Sequence, residues 1–176
     1  MKTDNIERYL NIFGKQVVNR AKGNLQRAKK GGALEDSIKF KVIPDAKGFK
    51  LEFYMSNYGA FVDKGVSGNK QSRKFKDYKN KTISSPYKYG NKQPPPDILA
   101  KWISKKGLKG RDKKTGRYIS NMSLAFIIGR KIKRDGIQGI SFFQKPLGLG
   151  LKQFGKDLLK NVKEDIIQEL QTTTVK

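Results

Sequence analysis

The segment DSIKFKVIPDAKGFKLEFYMSN (residues 36–57) decides the fold, because its hydrophobic period differs from that of the segments on either side. Apolar residues alternate with lysines before the turn DAKG, and the alternation resumes after the turn with Phe49, Leu51, Phe53 and Met55. A period of two is typical of half-buried strands. Two such runs joined by a turn predict a β-hairpin with one buried and one solvated face.

The segment before the hairpin has the period of a helix. Asp4 and Glu7 have the spacing of a capping box, which predicts that the helix begins there, and the pair Gly31 and Gly32 marks its end. Its apolar stripe consists of Ile6, Leu10, Phe13, Val17, Ala21 and Leu25. Gly14 and Gly23 interrupt this helix, and each weakens it by about 1 kcal/mol relative to alanine. We therefore expect the stripe to be held by packing against the hairpin.

Two short helices follow in the second half of the chain. The three prolines at 94–96 lead into the first helix, and Gly107 ends it. Its apolar face consists of Ile98, Leu99, Trp102 and Ile103. We expect the second helix to end at Gly136 and to bury Leu124, Ala125, Ile127, Ile128 and Ile132. Both are too short to be stable alone, and the segment GISFF (residues 139–143) after them predicts a return strand.

A final helix is expected from Leu151 onward. Its apolar stripe consists of Phe154, Leu158, Val162, Ile166 and Leu170. This stripe offers more apolar surface than one small sheet can cover, and large uncovered apolar patches mark interaction sites. We therefore predict that Ile166 and Leu170 form a contact between subunits, with a place in the core as the alternative. The exposed edge of the hairpin is a second candidate for a contact between subunits.

These elements together predict an α+β fold in a single domain spanning residues 1–176. We expect an antiparallel sheet of about four strands, flanked by the N-terminal and C-terminal helices. The two short helices and a long basic loop are inserted in this framework. We expect the motif aromatics Tyr58, Phe61, Trp102 and Phe143 to be core residues, as aromatic side chains usually are.

The basic loop (residues 69–93) has almost no hydrophobic period and contains one acid, Asp77. Loops this long in a compact domain are usually functional or disordered. We expect the loop to fold against DNA or against a protein partner, and its composition leaves both targets open. The residues predicted to face that partner are Lys70, Arg73, Lys74, Phe75, Lys76, Tyr78, Lys79, Lys81 and Tyr87.

The charge of the chain is one-sided, with 39 Lys and Arg against 15 Asp and Glu and a formal net charge of +24 in 176 residues. Nucleic acid, an anionic membrane surface or an acidic protein face would suit this charge. A lysine-rich, solvated surface without a binding role is the alternative. The polar start of the sequence and the shortness of its apolar runs predict a soluble protein made in a cytoplasm.

The composition also limits the chemistry that the chain can perform. It has no cysteine and no histidine, which excludes disulfides, thiolate nucleophiles and Cys/His zinc sites. Glu52, Asp63 and Lys64 are the one grouping that suggests a nuclease, but their spacing matches no motif. We therefore expect neither an enzyme nor a bound cofactor or metal.

Five short motifs occur in a fixed order along the chain. They are GGALEDSI (31–38), YGAFVDKGVS (58–67), PPPDILAKWISKKGL (94–108), AFIIGRKI (125–132) and GIQGISFF (136–143). In this order they resemble the tail-completion and head–tail joining proteins of tailed bacteriophages, in the form close to minor tail protein Z. The resemblance covers most of residues 31–147.

This resemblance implies a structural protein of the phage neck or tail end, located in the virion and present in the host cytoplasm during assembly. Such proteins assemble as homo-oligomeric rings on the portal–tail axis. They contact portal, adaptor or tail-tube proteins and form part of the channel through which genomic DNA passes, without a membrane partner. The alternative is a free nucleic-acid-binding protein that uses the basic loop and its tyrosines as a stacking platform.

Overall fold

The computed structural model describes residues 4–46 and 48–174, with side chains described through Ile167. The helices are α1 (Asp4–Arg27), α2 (Ala33–Ser37), α3 (Gly59–Lys64), α4 (Pro96–Lys105), α5 (Asn121–Asp135) and α6 (Gln144–Thr174). The strands are β1 (Lys39–Asp45), β2 (Gly48–Tyr54), β3 (Gly65–Ser67), β4 (Lys74–Lys76), β5 (Thr82–Ser84) and β6 (Gly136–Gln138). This content confirms the predicted α+β class.

The strands pair two by two, whereas the sequence predicted one sheet of about four strands. Within the described residues the pairs are β1 with β2, β3 with β6, and β4 with β5. The β1–β2 hairpin is antiparallel over seven residues on each side, with Phe40 opposite Phe53. The other four strands have three residues each. Each of these short strands pairs with another of them, and across residues 4–46 and 48–174 none pairs with β1 or β2.

The chain forms two compact units. Unit 1 comprises Met1–Asp63, Lys76–Thr82 and Ile140–Lys176, and unit 2 comprises Lys64–Phe75 and Ile83–Gly139. Unit 1 contains the long helices and the β1–β2 hairpin, and unit 2 contains α4, α5 and the β3–β6 pair. The single domain over residues 1–176 stays a prediction, because two compact units can belong to one domain.

The core of unit 1 lies between α1, the β1–β2 hairpin and the start of α6. Helix α1 buries the stripe that the sequence predicted, from Leu10 to Leu25. It runs antiparallel to α6, since Phe13 packs edge-on against Phe154 while the Asn24 side chain donates to the Phe142 carbonyl. The buried cluster consists of Phe13, Val17, Val18, Ala21, Leu25, Leu34, Ile38, Phe142 and Phe143.

The segment GISFF does not form the predicted return strand. Phe142 and Phe143 lie in a turn, and α6 begins directly after them at Gln144, seven positions before Leu151. The buried carboxylate of Asp63 accepts a hydrogen bond from the Phe143 backbone N–H at 2.8 Å. A carboxylate at this position satisfies N–H groups that have no partner inside the helix and is stabilised by the helix dipole. This contact explains the early start of α6.

Unit 2 contains both predicted short helices. Ile103 of α4 and Ala125 of α5 are fully buried, and Gly129 of α5 lies against the Leu99 side chain of α4. Ser120 caps α5, because its side chain accepts a hydrogen bond from the Ser123 backbone N–H. The β3–β6 pair is formed by the two ends of unit 2, with Val66 opposite Ile137.

Candidate interaction surfaces

The motif aromatics are mostly on the surface, which corrects the expectation that they form the core. Tyr58, Phe61 and Trp102 are 46%, 44% and 45% exposed, and Phe143 alone among the four is buried. Tyr58 and Phe61 belong to unit 1, where they flank the start of α3, and Trp102 belongs to α4 of unit 2. The sequence pattern identified these residues as apolar but did not show how much of each side chain stays exposed to solvent.

The basic loop contains a strand pair that the sequence did not predict. Strands β4 and β5 enclose a turn in which the Lys81 backbone N–H donates to the Asp77 carboxylate at 2.7 Å. Asn80 has a positive φ of 62°, a conformation that asparagine adopts more readily than most residues. The short runs KFK and TIS around an Asp and Asn turn are the signal in the sequence that could have revealed this pair.

The predicted aromatic anchors of the basic loop differ in exposure. Phe75 is buried within the chain and presents no surface to a partner. Tyr78 is exposed, and the Lys79 ammonium lies 5.6 Å from the centre of its ring. Tyr87 is half-buried, and its backbone carbonyl accepts a hydrogen bond from the Ser67 N–H. Tyr78 is therefore the aromatic anchor that the loop presents most openly.

The predicted cations of the loop are divided between the two units. Lys70 and Lys74 are exposed in unit 2, where Arg73 is half-buried and its Nε donates to the Asp135 carbonyl at 2.7 Å. This hydrogen bond from Arg73 links the basic loop to the end of α5. The predicted loop lysines that belong to unit 1 are Lys76, Lys79 and Lys81, and all three are exposed.

Helix α6 leaves an apolar stripe uncovered. Phe154, Leu158 and Val162 are half-buried, but Ile166 is 44% exposed and Leu159 is more exposed still. Leu159 and Ile166 are seven residues apart and therefore lie on the same face of the helix. The predicted contact residue Leu170 lies outside the residues whose side chains the structure describes. The exposure of Ile166 leaves it accessible to a neighbouring subunit.

Glu52 and Asp63, the two carboxylates of the grouping that suggested a nuclease, each contact different residues. Glu52 on β2 contacts Lys50 and Tyr54, and its pKa is lowered first by the hydrogen bond from Lys50. Asp63 is buried at the start of α6. Within the residues that the structure describes, no three His, Cys, Asp or Glu side chains form a group that could hold a metal ion.

Positive charge is concentrated in unit 2. This unit contains 18 of the 39 Lys and Arg residues but 3 of the 15 acids, a net charge of +15. Unit 1 contains the remaining residues of both kinds and has a net charge of +9, although it is the longer of the two. A partner attracted by the positive charge of this chain is therefore drawn most strongly to unit 2.

No protein-family model matches this chain, and neither the curated proteins nor the solved structures contain a match to it. In the part of the chain that the structure describes, no helix combines the length and the apolar character needed to cross a membrane.

Proposed function

We propose that this chain is a structural virion protein of the neck or tail end of a tailed phage, which assembles as a ring joining the portal to the tail. The placement in a phage rests on the ordered motifs between residues 31 and 147. The single observation that carries the assembly is the exposure of the motif aromatics Tyr58, Phe61 and Trp102. Clusters of large exposed apolar side chains mark surfaces that another molecule covers.

A ring requires each subunit to present two different surfaces, because its contacts run head to tail. Unit 1 offers apolar side chains on two different elements. One set is Tyr58 and Phe61 at α3, and the other is Leu159 and Ile166 on α6. Contact between these two sets on neighbouring subunits would remove both from water. Portal, adaptor or tail-tube proteins would then cover the remaining faces, and genomic DNA would pass through the opening.

A second candidate function is supported by the charge of unit 2. A net charge of +15 on this unit favours a free protein that binds nucleic acid without forming a ring. The two candidates differ in what they require: the ring needs the exposed apolar side chains at α3 and α6, whereas the free binder needs the cations of unit 2.

The experiment is complementation of a tailed phage from which the gene for this chain has been deleted. We expect the deletion to give unjoined heads and tails, and the wild-type gene to restore infectious particles that contain the chain. Changing Tyr58 and Phe61 to Ser should prevent this restoration, because the ring loses one of its surfaces. Changing Ile12, an exposed residue of α1 outside the motifs, to Ser should not prevent it.

Thermal unfolding of the purified variants separates loss of assembly from loss of folding. The proposal requires the Tyr58 and Phe61 variant to unfold near the wild-type temperature and yet fail in complementation. Joined, infectious particles formed without the chain would contradict the proposal, as would particles restored equally well by the wild-type gene and by both variants.

A further inference from the structure

The segment between α4 and α5 forms a well-defined basic hairpin (residues 109–118). Arg111 and Tyr118 face each other in an antiparallel bridge. The Asp112 N–H donates to the Arg117 carbonyl at 2.9 Å, and just outside the hairpin the Ile119 N–H donates to the Gly110 carbonyl at 3.0 Å. Its turn is completed by Gly116, whose φ of 68° is accessible to glycine at little cost. The hairpin is therefore shaped by its own backbone hydrogen bonds.

The one acid of the hairpin, Asp112, accepts hydrogen bonds from residues of the turn. One carboxylate oxygen of Asp112 accepts hydrogen bonds from the Lys114 N–H at 2.9 Å, the Thr115 N–H at 2.8 Å and the Thr115 hydroxyl at 3.1 Å. These bonds, those from Thr115 first, lower the pKa of Asp112. Across the described chain, no carboxylate forms an ion pair with the five cations Lys109, Arg111, Lys113, Lys114 and Arg117.

The aromatic residue of the hairpin is already engaged by cations. Tyr118 is 61% exposed, and the Arg111 guanidinium lies 4.5 Å from the centre of its ring while also donating to its hydroxyl at 2.6 Å. The Lys109 ammonium lies 5.7 Å from the same centre. Cation–π contacts of this kind hold the charges in place. A nucleic-acid base would have to displace Arg111 to stack on the ring face that the guanidinium covers.

We propose that the basic hairpin binds the phosphate backbone of duplex DNA, without preference for sequence. Its five cations lie within nine residues, and their charges are free to replace the counterions of a duplex. A two-stranded ribbon also fits the major groove of B-form DNA, whereas the major groove of duplex RNA is too narrow for side chains to enter. This inference is independent of ring assembly and assigns binding to an element outside the basic loop.

The composition of the hairpin argues against three other partners, which are an anionic lipid surface, an acidic protein and single-stranded nucleic acid. It contains no aliphatic residue, so it offers no apolar side chains to enter a lipid surface. Protein interfaces are stabilised mainly by buried aromatic and arginine anchors. Here the aromatic and the arginine nearest to it are already paired with each other. Single strands bind by stacking of bases on aromatic rings, and the Arg111 contact with Tyr118 stands against that mode.

The test is fluorescence anisotropy of the full chain with a short labelled DNA duplex of mixed sequence, titrated at salt concentrations from about 50 to about 200 mM. The hairpin variant changes Lys109, Lys113, Lys114 and Arg117 to Gln, which leaves the Arg111–Tyr118 pair and the Asp112 turn intact. The matched control removes four exposed cations of unit 1 by changing Lys15, Lys30, Lys39 and Lys156 to Gln. Both variants have the same net charge, and circular dichroism checks their folding.

We expect the hairpin variant to lower the magnitude of the log–log salt slope by about 3.6, the value for four lost phosphate contacts, and the control to keep the wild-type slope. An equal loss in both variants would overturn the proposal, because binding would then follow net charge alone. It would also be overturned if the wild-type chain failed to bind the duplex at the lowest salt. Tighter binding to single-stranded DNA, duplex RNA, polyglutamate or anionic vesicles would overturn it as well.

Discussion

At the scale of single residues, two glycines of α1 have opposite surroundings. A Cβ built on Gly14 would lie 2.6 Å from Cε2 of the Phe40 ring, whereas a Cβ on Gly23 would have nothing within 4 Å. Gly14 therefore permits the close approach of α1 to the β1–β2 hairpin. Gly23 has no such role and only weakens the helix.

We expect Gly14→Ala to destabilise the protein by about 1–3 kcal/mol, because the core is overpacked at Phe40. Gly23→Ala should instead stabilise it by about 1 kcal/mol through helix propensity. Urea denaturation of the two variants measures both changes. A gain of stability in both variants would show that α1 does not approach Phe40 as closely as the structure indicates.

The carboxylate of Asp63 is buried and accepts a hydrogen bond from the Phe143 backbone N–H. Asp63→Ala removes the acceptor of the Phe143 N–H at the buried start of α6. We expect a loss of about 2–3 kcal/mol, since a buried N–H is left without a partner and the helix loses its cap. Asp36→Ala, at an exposed carboxylate, is the control and should change stability by no more than about 0.5 kcal/mol. A similarly small effect at Asp63 would contradict its capping role.

At the scale of elements, α6 carries the prediction that bears on assembly. Ile166 and Ile167 are chain neighbours with 44% and 41% exposure, but a helix turns by about 100° between them. Ile166 shares its face with Leu159, and Ile167 does not. Ile166→Asp should therefore prevent ring formation while leaving the unfolding temperature nearly unchanged, and Ile167→Asp should change neither. Sedimentation velocity and thermal unfolding report the two properties, and identical behaviour of both variants would exclude the stripe as a contact.

Elements with strong local periodicity were predictable from the sequence. The α1 stripe and the β1–β2 hairpin follow from spacings of three to four and of two, and both are confirmed. The turn that replaces the predicted strand at GISFF could not be predicted from local sequence. It depends on the hydrogen bond from the Phe143 N–H to Asp63, which lies 80 positions earlier in the chain. The residues near the start of a helix do not indicate which carboxylate from a distant part of the chain will cap it.

The candidate surfaces were predictable only in part, for a related physical reason. The chemistry of a side chain identifies Tyr58, Trp102 or Phe75 as apolar but does not say which of them another part of the chain will cover. Phe75 became buried and the other two stayed exposed. The basic hairpin was visible in the sequence only as a charged turn, since the Arg111–Tyr118 contact depends on the register of the turn.

At the scale of the whole molecule, the two units differ in net charge, whereas both carry large exposed apolar side chains. Unit 2 has a net charge of +15, and the exposed stripe of α6 belongs to unit 1. Under the two proposals, unit 2 would contact nucleic acid, and unit 1 would supply contacts between subunits at α3 and α6. Assembly and DNA binding are then separable by substitution, which the two sets of variants test independently.

Electron cryomicroscopy of the assembled particle tests ring assembly at the junction of head and tail. We expect a closed ring of this chain with rotational symmetry at the junction, in which neighbouring subunits cover Ile166 and Tyr58. A particle that lacks the chain at the junction, or that holds it as a single copy with these side chains exposed, would contradict ring assembly.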